Sequence, residues 1–191
     1  SSVYRQSAAH DPRRAEVDPE NRLWWRMTPR RLEAEVLRDA MLAASGTLNL
    51  EPYGPGFKPP IAAEAMTARN LKSKYPDDAQ ETKETLRRSV YMFHKRLVPF
   101  PLLQAFDRPD LLQSCGRRDV TTVAPQALSI LNDRFVRTRA AEFAASLTSL
   151  SSDDAELINV VFQRALGRFP TETECAAALE FLSTQQASRG A

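Results

Sequence analysis

The sequence has few of the residues on which common catalytic and metal sites depend. Its 191 residues include six glycines, two histidines and two cysteines. Neither of the usual glycine-rich phosphate loops, G-x-x-x-x-G-K-[ST] and G-x-G-x-x-G, occurs. The patterns G-x-S-x-G and H-E-x-x-H are also absent, and His10 and His94 alone nearly exclude a histidine-based metal site or triad. The residues therefore predict no metal site and no catalytic residue.

The two cysteines, Cys115 and Cys175, lie in neither a C-x-x-C nor a C-x-x-C-H arrangement. Two thiols cannot build a cysteine-rich zinc site, and without C-x-x-C-H the chain has no attachment motif for haem c. Because an even number of cysteines permits one disulfide in an oxidising compartment, that pairing is one interpretation. We favour the other interpretation, two separate thiols that behave as small apolar side chains.

Long apolar runs and a strong charge imbalance are absent as well. No run approaches the roughly 20 apolar residues that a membrane-spanning helix needs. The 26 basic minus 24 acidic residues leave a net charge of +2, with no long run of one sign. This balance argues against a nucleic-acid partner. Apolar residues (42%) and charged residues (26%) occur in the proportions of an ordinary globular domain.

Prolines and apolar spacing predict how the chain is organised. We predict one mainly α-helical domain over 1–191, with long proline-rich loops. Its sub-parts are an N-terminal helix region (1–50), an irregular proline-rich region (51–120) with a short strand at 88–96, and a helical C-terminal part (121–191). The strand is predicted because residues 88–96 are rich in β-formers. Its pairing partner is expected in residues 50–60 or outside this fragment.

Turn and capping residues predict where the first helices begin and end. Residues 8–22 have the composition of a loop. Thr28-Pro29 is expected to open a helix that Gly46 ends, since a hydroxyl cap, a first-turn proline and a following glycine are typical of these positions. Residues 61–72 are a candidate short helix, and the polar residues 73–87 a long excursion.

The C-terminal part is predicted to contain four helices. Thr121 or Thr122 is expected to cap the first, and a second helix follows closely. Gly167 is a natural end for the third. Thr171, with Glu174 three residues later, forms a capping box at the start of the last helix. Because the connection between the last two helices is short, they are predicted to form an αα-hairpin.

The densest group of polar residues precedes the first of these helices. It contains Arg117, Arg118, Asp119 and Thr122. Two guanidinium groups beside free backbone N–H groups would suit an anion such as sulfate or phosphate. The alternative, which we favour, is structural: the arginines hold neighbouring loops against carboxylates. A nucleophilic Cys115 activated by His94 is a further alternative that no motif supports.

The adjacent aromatic residues Trp24 and Trp25 allow two interpretations. Neighbouring tryptophans usually pack in a core, with each indole N–H donating to a carbonyl. The alternative is a platform on which a carbohydrate ring stacks. The sequence alone favours core packing.

Several segments together resemble a known family. They are Val3–Ser7, Asp18–Trp24, Arg30–Glu35 with Arg38-Asp39, Arg88–Tyr91, Phe106-Asp107, Cys115–Arg118, Gln126–Leu128 with Leu131–Asp133, and Ala165–Arg168 with Pro170-Thr171. In this order, and over almost the whole chain, they are similar to the planctomycete domain of unknown function 1553. Each segment is weak alone, but the combination is specific.

The resemblance implies a context rather than a chemistry. It implies that the chain is the C-terminal fragment of a larger, exported, extracytoplasmic parent. That parent carries upstream a cytochrome c-type domain and a companion domain, so haem c is expected there and no cofactor in this chain. The family has no established activity, so no catalytic residue is carried over. We therefore expect a helical interaction or scaffold module, leaning away from an enzyme, whose partners are the upstream domains. The alternative is an enzyme domain acting on anionic or sulfated polysaccharide.

Overall fold

The computed structural model describes residues 1–61, 79–96, 98–148 and 150–189. Over these residues the protein is mainly α-helical, which confirms the predicted fold class, and no β-sheet forms. The helices are α1 (Pro12–Val17), α2 (Ala34–Ala44), α3 (Pro101–Ala105), α4 (Ala124–Asn132), α5 (Arg134–Leu147), α6 (Asp154–Leu166) and α7 (Glu172–Arg189). None of the described helices is both long and apolar enough to span a membrane. The chain divides into two compact units, Ser1–Leu32 and Glu33–Ala191.

The first unit contains one short helix where the sequence predicted only a loop. Asp11 caps α1, because its carboxylate accepts hydrogen bonds from the N–H groups of Arg13 and Arg14. Pro12 occupies the first turn, where its missing N–H costs no hydrogen bond. The prediction of a loop over residues 8–22 was therefore wrong for residues 12–17, because a proline is tolerated at the first position of a helix.

The core of the second unit is built around α2 and α3. Leu42 of α2 and Leu102 and Leu103 of α3 are completely buried. Phe57, Met92, Phe100 and Phe106 join this core from the loops. The helix α2 begins at Ala34, later than the predicted start at Thr28-Pro29. The residue before it, Glu33, is still extended. Gly46 follows its end with a φ of +75°, as expected for a left-handed stop.

The predicted strand at 88–96 does not form, and that prediction was wrong. Ser89–Tyr91 is a 3₁₀ turn, followed by a single parallel bridge between Met92 and Phe57. The turn forms because the carboxylate of Asp39 accepts hydrogen bonds from both the N–H (2.7 Å) and the hydroxyl (2.6 Å) of Ser89. The bridging residue Phe57 does lie in the 50–60 segment that was expected to pair.

The region between these elements is only partly described. The candidate helix at 61–72 and the first half of the 73–87 excursion lie almost wholly outside the described residues. The second half contains one 3₁₀ turn, Glu84–Leu86.

The four C-terminal helices form as predicted, with one difference in capping. The first, α4, begins after Val123 rather than at a threonine, because the side chain of Gln126 accepts a hydrogen bond from the N–H of Val123. Asp133 and Asp153 cap α5 and α6. Gly167 ends α6 with a φ of +69°.

The last two helices make the predicted αα-hairpin. The capping box at the start of α7 is formed reciprocally: the N–H of Glu174 donates to the Thr171 hydroxyl (3.3 Å), and the N–H of Thr171 donates to the Glu174 carboxylate (2.8 Å). Arg168 adds two hydrogen bonds to the same carboxylate. These contacts hold the pKa of Glu174 at about 2, with the hydrogen bonds from Arg168 as the largest cause.

Candidate functional site

The loop between α3 and α4 forms a hollow of about 420 Å³ that contains most of the predicted polar cluster. Residues 107–110 and 113–119 line it. Among them are three arginines and three aspartates: Arg108, Arg117, Arg118, Asp107, Asp110 and Asp119. Because the charges of the lining balance, the hollow lacks the strong positive potential that would concentrate an anion.

Arg118 is held by the start of α2. Its guanidinium donates to both carboxylate oxygens of Glu35, at 2.7 and 3.3 Å, and lies 3.2 Å from a carboxylate oxygen of Glu33. The hydrogen bond to Glu35 raises the pKa of Arg118. Burial alone would raise the pKa of Glu35, but the hydrogen bond and charge of Arg118 lower it below its usual value. This geometry is that of a tie between the loop and α2.

The other three residues of the predicted cluster have no such role. Arg117, Asp119 and Thr122 are exposed, and within the described part of the chain their side chains make no hydrogen bond or ion pair. The neighbouring Thr121 is the threonine that binds a carboxylate, because its N–H and hydroxyl donate to Asp107 at 2.8 and 2.9 Å. The structure thus brings Arg117 and Arg118 to one hollow, but only Arg118 is engaged.

His94 is not among the residues that line this hollow, but it contacts one of them. Its Nδ1 is 3.2 Å from the guanidinium of Arg108, which does line the hollow. Burial, and then the charge of Arg108, lower the pKa of His94, so a neutral imidazole that accepts from Arg108 is favoured. Cys115 is exposed, and its thiol donates to the carbonyl of Arg117 at 3.0 Å. No hydrogen bond joins His94 to Cys115, so the geometry does not support a thiolate–imidazole pair.

The difference between the two neighbouring arginines gives a direct prediction. Arg118→Ala should lower the free energy of unfolding by about 1 kcal/mol, because it leaves a half-buried carboxylate without its main partner. Arg117→Ala, the matched control, should leave stability unchanged.

Denaturant unfolding at neutral and acidic pH measures both effects. Because the pKa of Glu35 is lowered in the folded state, its stabilisation is present above the unfolded value near 4.5 and is lost as the pH falls through the folded value. The deficit of Arg118→Ala should therefore shrink in acid. Equal losses for the two variants at neutral pH would contradict the assignment.

The two tryptophans have different surroundings. Trp25 is half-buried, and its indole N–H donates to the carbonyl of Asp18 at 2.9 Å. Arg26 lies over its ring at 5.0 Å, and His10 meets it edge-on at 6.0 Å. Trp24 is 56% exposed, and none of the described residues stacks on its ring. Core packing therefore describes Trp25, while Trp24 is displayed to solvent.

The loop of residues 18–28 that carries Trp24 is held by two side chains. The buried carboxylate of Asp18 accepts from the N–H groups of Arg22 (2.9 Å) and Leu23 (2.7 Å). The amide of Asn21 bonds to the backbone N–H and carbonyl of Arg26. Trp24 is in the left-handed region with a φ of +56°. For a residue other than glycine this conformation costs on the order of 1 kcal/mol.

Three buried arginines are the main polar feature that sequence analysis missed. Arg38, Arg87 and Arg139 are each about 2% exposed. Arg38 donates to the carbonyls of Thr85 (2.6 Å) and Arg87 (3.0 Å) and to the hydroxyl of Ser89 (3.2 Å). Burial lowers the pKa of Arg38 to about 10, partly opposed by Asp39, so it stays charged at neutral pH. A signal was present in the sequence: Arg38 is four residues from both Ala34 and Leu42, on the apolar stripe of α2.

Arg87 organises the proline-rich segment around itself. Its guanidinium donates to the carbonyls of Glu51 (3.3 Å), Pro55 (3.1 Å) and Tyr53. It also stacks on the ring of Tyr91 at 4.1 Å. The segment therefore wraps a buried charge, and it displays Tyr53, which is 82% exposed with a φ of +65°.

Arg139 joins α5 to two other parts of the second unit. It donates to the hydroxyl of Thr47 at 3.1 Å and to the carboxylate of Glu81. Arg139 and Arg38 also lie over the ring of Phe135, at 5.4 and 5.2 Å. These contacts are internal: Arg38 and Arg87 bond mainly to backbone carbonyls, and Arg139 bonds to the side chains of Thr47 and Glu81.

Comparison with known proteins identifies a family but no chemistry. The model of a family described as PSD1, protein of unknown function (DUF1553), matches residues 1–182. No curated protein and no solved structure matches the chain. Among the described residues, no group of three or more histidine, cysteine, aspartate or glutamate side chains could hold a metal ion. The matched range contains both tryptophans, the hollow and all three buried arginines.

Proposed function

The chain belongs to this DUF1553 family of unknown function, and from that premise we propose that it is a helical interaction module of a larger, exported, cytochrome-linked protein. The observation that carries the proposal is the distribution of apolar side chains on the C-terminal helices. Large apolar residues are exposed on α4 and around the hairpin of α6 and α7: Leu128, Leu131, Leu166, Phe169 and Phe181. Leu128 and Leu131 are three residues apart and therefore share one face of α4, and an apolar face exposed in this way suits a surface that another domain covers.

The surroundings of the charged residues support the same proposal. Arg118 is tied to Glu35, and Arg108 contacts His94. The buried Arg38 and Arg87 donate to backbone carbonyls of the second unit, and Arg139 donates to the hydroxyl of Thr47 and the carboxylate of Glu81. Most of these guanidinium groups are therefore used to hold loops in place, as a scaffold requires. The partners we propose are the upstream domains of the same polypeptide, outside the cytoplasm, with haem c in the cytochrome-type domain.

The second candidate function is an enzyme domain that acts on anionic or sulfated polysaccharide. One observation favours it: Arg117 lines a hollow of about 420 Å³, and its side chain makes no hydrogen bond or ion pair with any residue that the structure describes. The balanced charge of the lining weighs against it. An enzyme of this kind should release new reducing ends from a sulfated polysaccharide, and Arg117→Ala should abolish that release.

Photo-crosslinking in the full-length protein tests the interaction module. A benzophenone amino acid placed at Leu131 or Phe181 should form crosslinks to the upstream domains. The matched control is Gln186, an exposed polar position of α7 that lies about 140° around the helix from Phe181. Peptide mapping by mass spectrometry identifies the crosslinked residues. Crosslinks from Gln186 alone, or none at either apolar position, would reject the proposal.

A further inference from the structure

We propose that Trp24, with the loop of residues 18–28 that carries it, is a stacking site for an uncharged pyranose polysaccharide. This goes beyond the interaction module and does not depend on it, because the site lies in the first unit and the apolar helices lie in the second. It also requires no catalytic step.

The first support is the difference between the two neighbouring indoles. Arg26 lies over the ring of Trp25, and His10 meets that ring edge-on. The indole N–H of Trp25 donates to the carbonyl of Asp18. Trp24, by contrast, is 56% exposed as a residue, and none of the described residues stacks on its ring. An indole has an electron-rich face, against which the slightly positive C–H groups of a sugar ring pack favourably. Trp24 therefore has a binding face that Trp25 lacks.

The second support is the rigidity of the loop. Asp18 and Asn21 make four hydrogen bonds to backbone groups at three positions of the loop, and the N–H of Trp24 itself donates to the carbonyl of Asn21 at 3.2 Å. A platform that is ordered before binding loses little conformational entropy when a ligand arrives. Sugar–aromatic contacts are weak individually, so this ordering matters for them more than for large interfaces.

The third support is the backbone conformation of Trp24. A φ of +56° is unfavourable for a bulky residue and is tolerated best by glycine or asparagine. Trp24 also exposes much of its apolar surface to water. Neither feature contributes packing within the first unit, and outliers of this kind are typical of functional positions.

Two charged side chains of the same loop indicate the ligand class. Glu20 and Arg22 are both exposed and lie 3.6 Å apart as an ion pair. Together they offer acceptors and donors to sugar hydroxyls, but no net charge that would select a polyanion. One open platform suits a polymer, which presents many equivalent rings. Leu23, 78% exposed, would instead suit a protein partner. The experiment below distinguishes a polysaccharide ligand from a protein partner.

The experiment compares the whole chain and its variants by affinity electrophoresis in gels that contain barley β-glucan, dextran, xylan, alginate or carrageenan. At least one of the three uncharged polymers should retard the unmodified protein. Trp24→Asn should weaken that retention by about tenfold, the size of one aromatic stacking contact. Trp24→Tyr should keep most of it, and the exposed control Tyr4→Asn should keep all of it.

Asparagine is chosen because it suits the left-handed region, so Trp24→Asn should melt no lower than the unmodified protein. A second readout does not depend on any variant: an effective polymer should change the tryptophan fluorescence of the unmodified protein, since Trp24 is the exposed indole of the two.

Three outcomes would overturn the proposal: no retention by any uncharged polymer, retention that Trp24→Asn leaves intact, or retention by the anionic polymers alone. Anionic retention that Arg117→Ala removes would assign carbohydrate binding to the hollow. Failure here leaves the crosslinking result of the interaction module untouched, so the two proposals fail separately.

Discussion

Replacing Arg38 by methionine is expected to lower the free energy of unfolding by about 3 kcal/mol, the largest effect predicted for any single residue here. Methionine fills a similar volume, so the loss comes from hydrogen bonds rather than from a cavity. The substitution leaves the carbonyls of Thr85 and Arg87 without the guanidinium that they bond to. A buried acceptor that loses its partner costs about 1–3 kcal/mol.

Removing the guanidinium of Arg38 has two opposing effects on the free energy of unfolding. Removing the guanidinium abolishes the desolvation cost that lowers the pKa of Arg38 to about 10. It also removes the contacts of this cation with the rings of Phe57 and Phe135, at 5.4 and 5.2 Å. Because Thr85 and Arg87 are both buried, water cannot replace the guanidinium at their carbonyls, and the unpaired acceptors outweigh the desolvation gain.

The neighbouring Arg88 provides the control. It is also paired with Asp39, at 3.6 Å, but its side chain is exposed. Arg88→Met should therefore change stability by less than about 0.5 kcal/mol. Urea unfolding followed by circular dichroism measures both variants. If Arg38→Met is as mild as Arg88→Met, the hydrogen bonds of the buried Arg38 do not stabilise the fold.

Local signals explain which parts of the fold could be predicted. The capping box of Thr171 and Glu174 and the left-handed stop at Gly167 are encoded within a few residues, and both form. The strand at 88–96 was predicted from local β-propensity, but the conformation there depends on Asp39, some 50 residues earlier. The start of α2 was also predicted from local signals, but the chain remains extended at Glu33. Long-range hydrogen bonds override propensity, and a single sequence does not reveal them.

The candidate site also combines features that local sequence predicts with features that distant residues decide. The sequence grouped Arg117 with Arg118, and it grouped Trp24 with Trp25, because adjacent residues of one type carry identical local signals. In the structure each pair separates into one engaged and one exposed side chain. The partner that decides the first pair is Glu35, 83 residues from Arg118. The second pair is decided by a left-handed backbone at Trp24, which composition does not indicate.

Arg87→Lys is expected to lower the free energy of unfolding by about 2 kcal/mol while keeping the charge. A planar guanidinium donates in several fixed directions at once, and here it reaches the carbonyls of Glu51, Tyr53 and Pro55. A single ammonium group cannot reach all three. The loss should be smaller than for Arg38→Met, because water can hydrate the freed carbonyls of a surface segment.

The same substitution should loosen the segment around Tyr53 before the rest of the protein unfolds. Chymotrypsin cleavage after Tyr53 should become about tenfold faster, since proteolysis follows the population of locally opened molecules. The control is Glu84→Gln, which removes only a 3.4 Å ion pair between Arg87 and an exposed carboxylate. That variant should be cleaved at nearly the unmodified rate. Cleavage of Arg87→Lys at the unmodified rate would show that the prolines of the segment, rather than the buried guanidinium, hold Tyr53 in its exposed position.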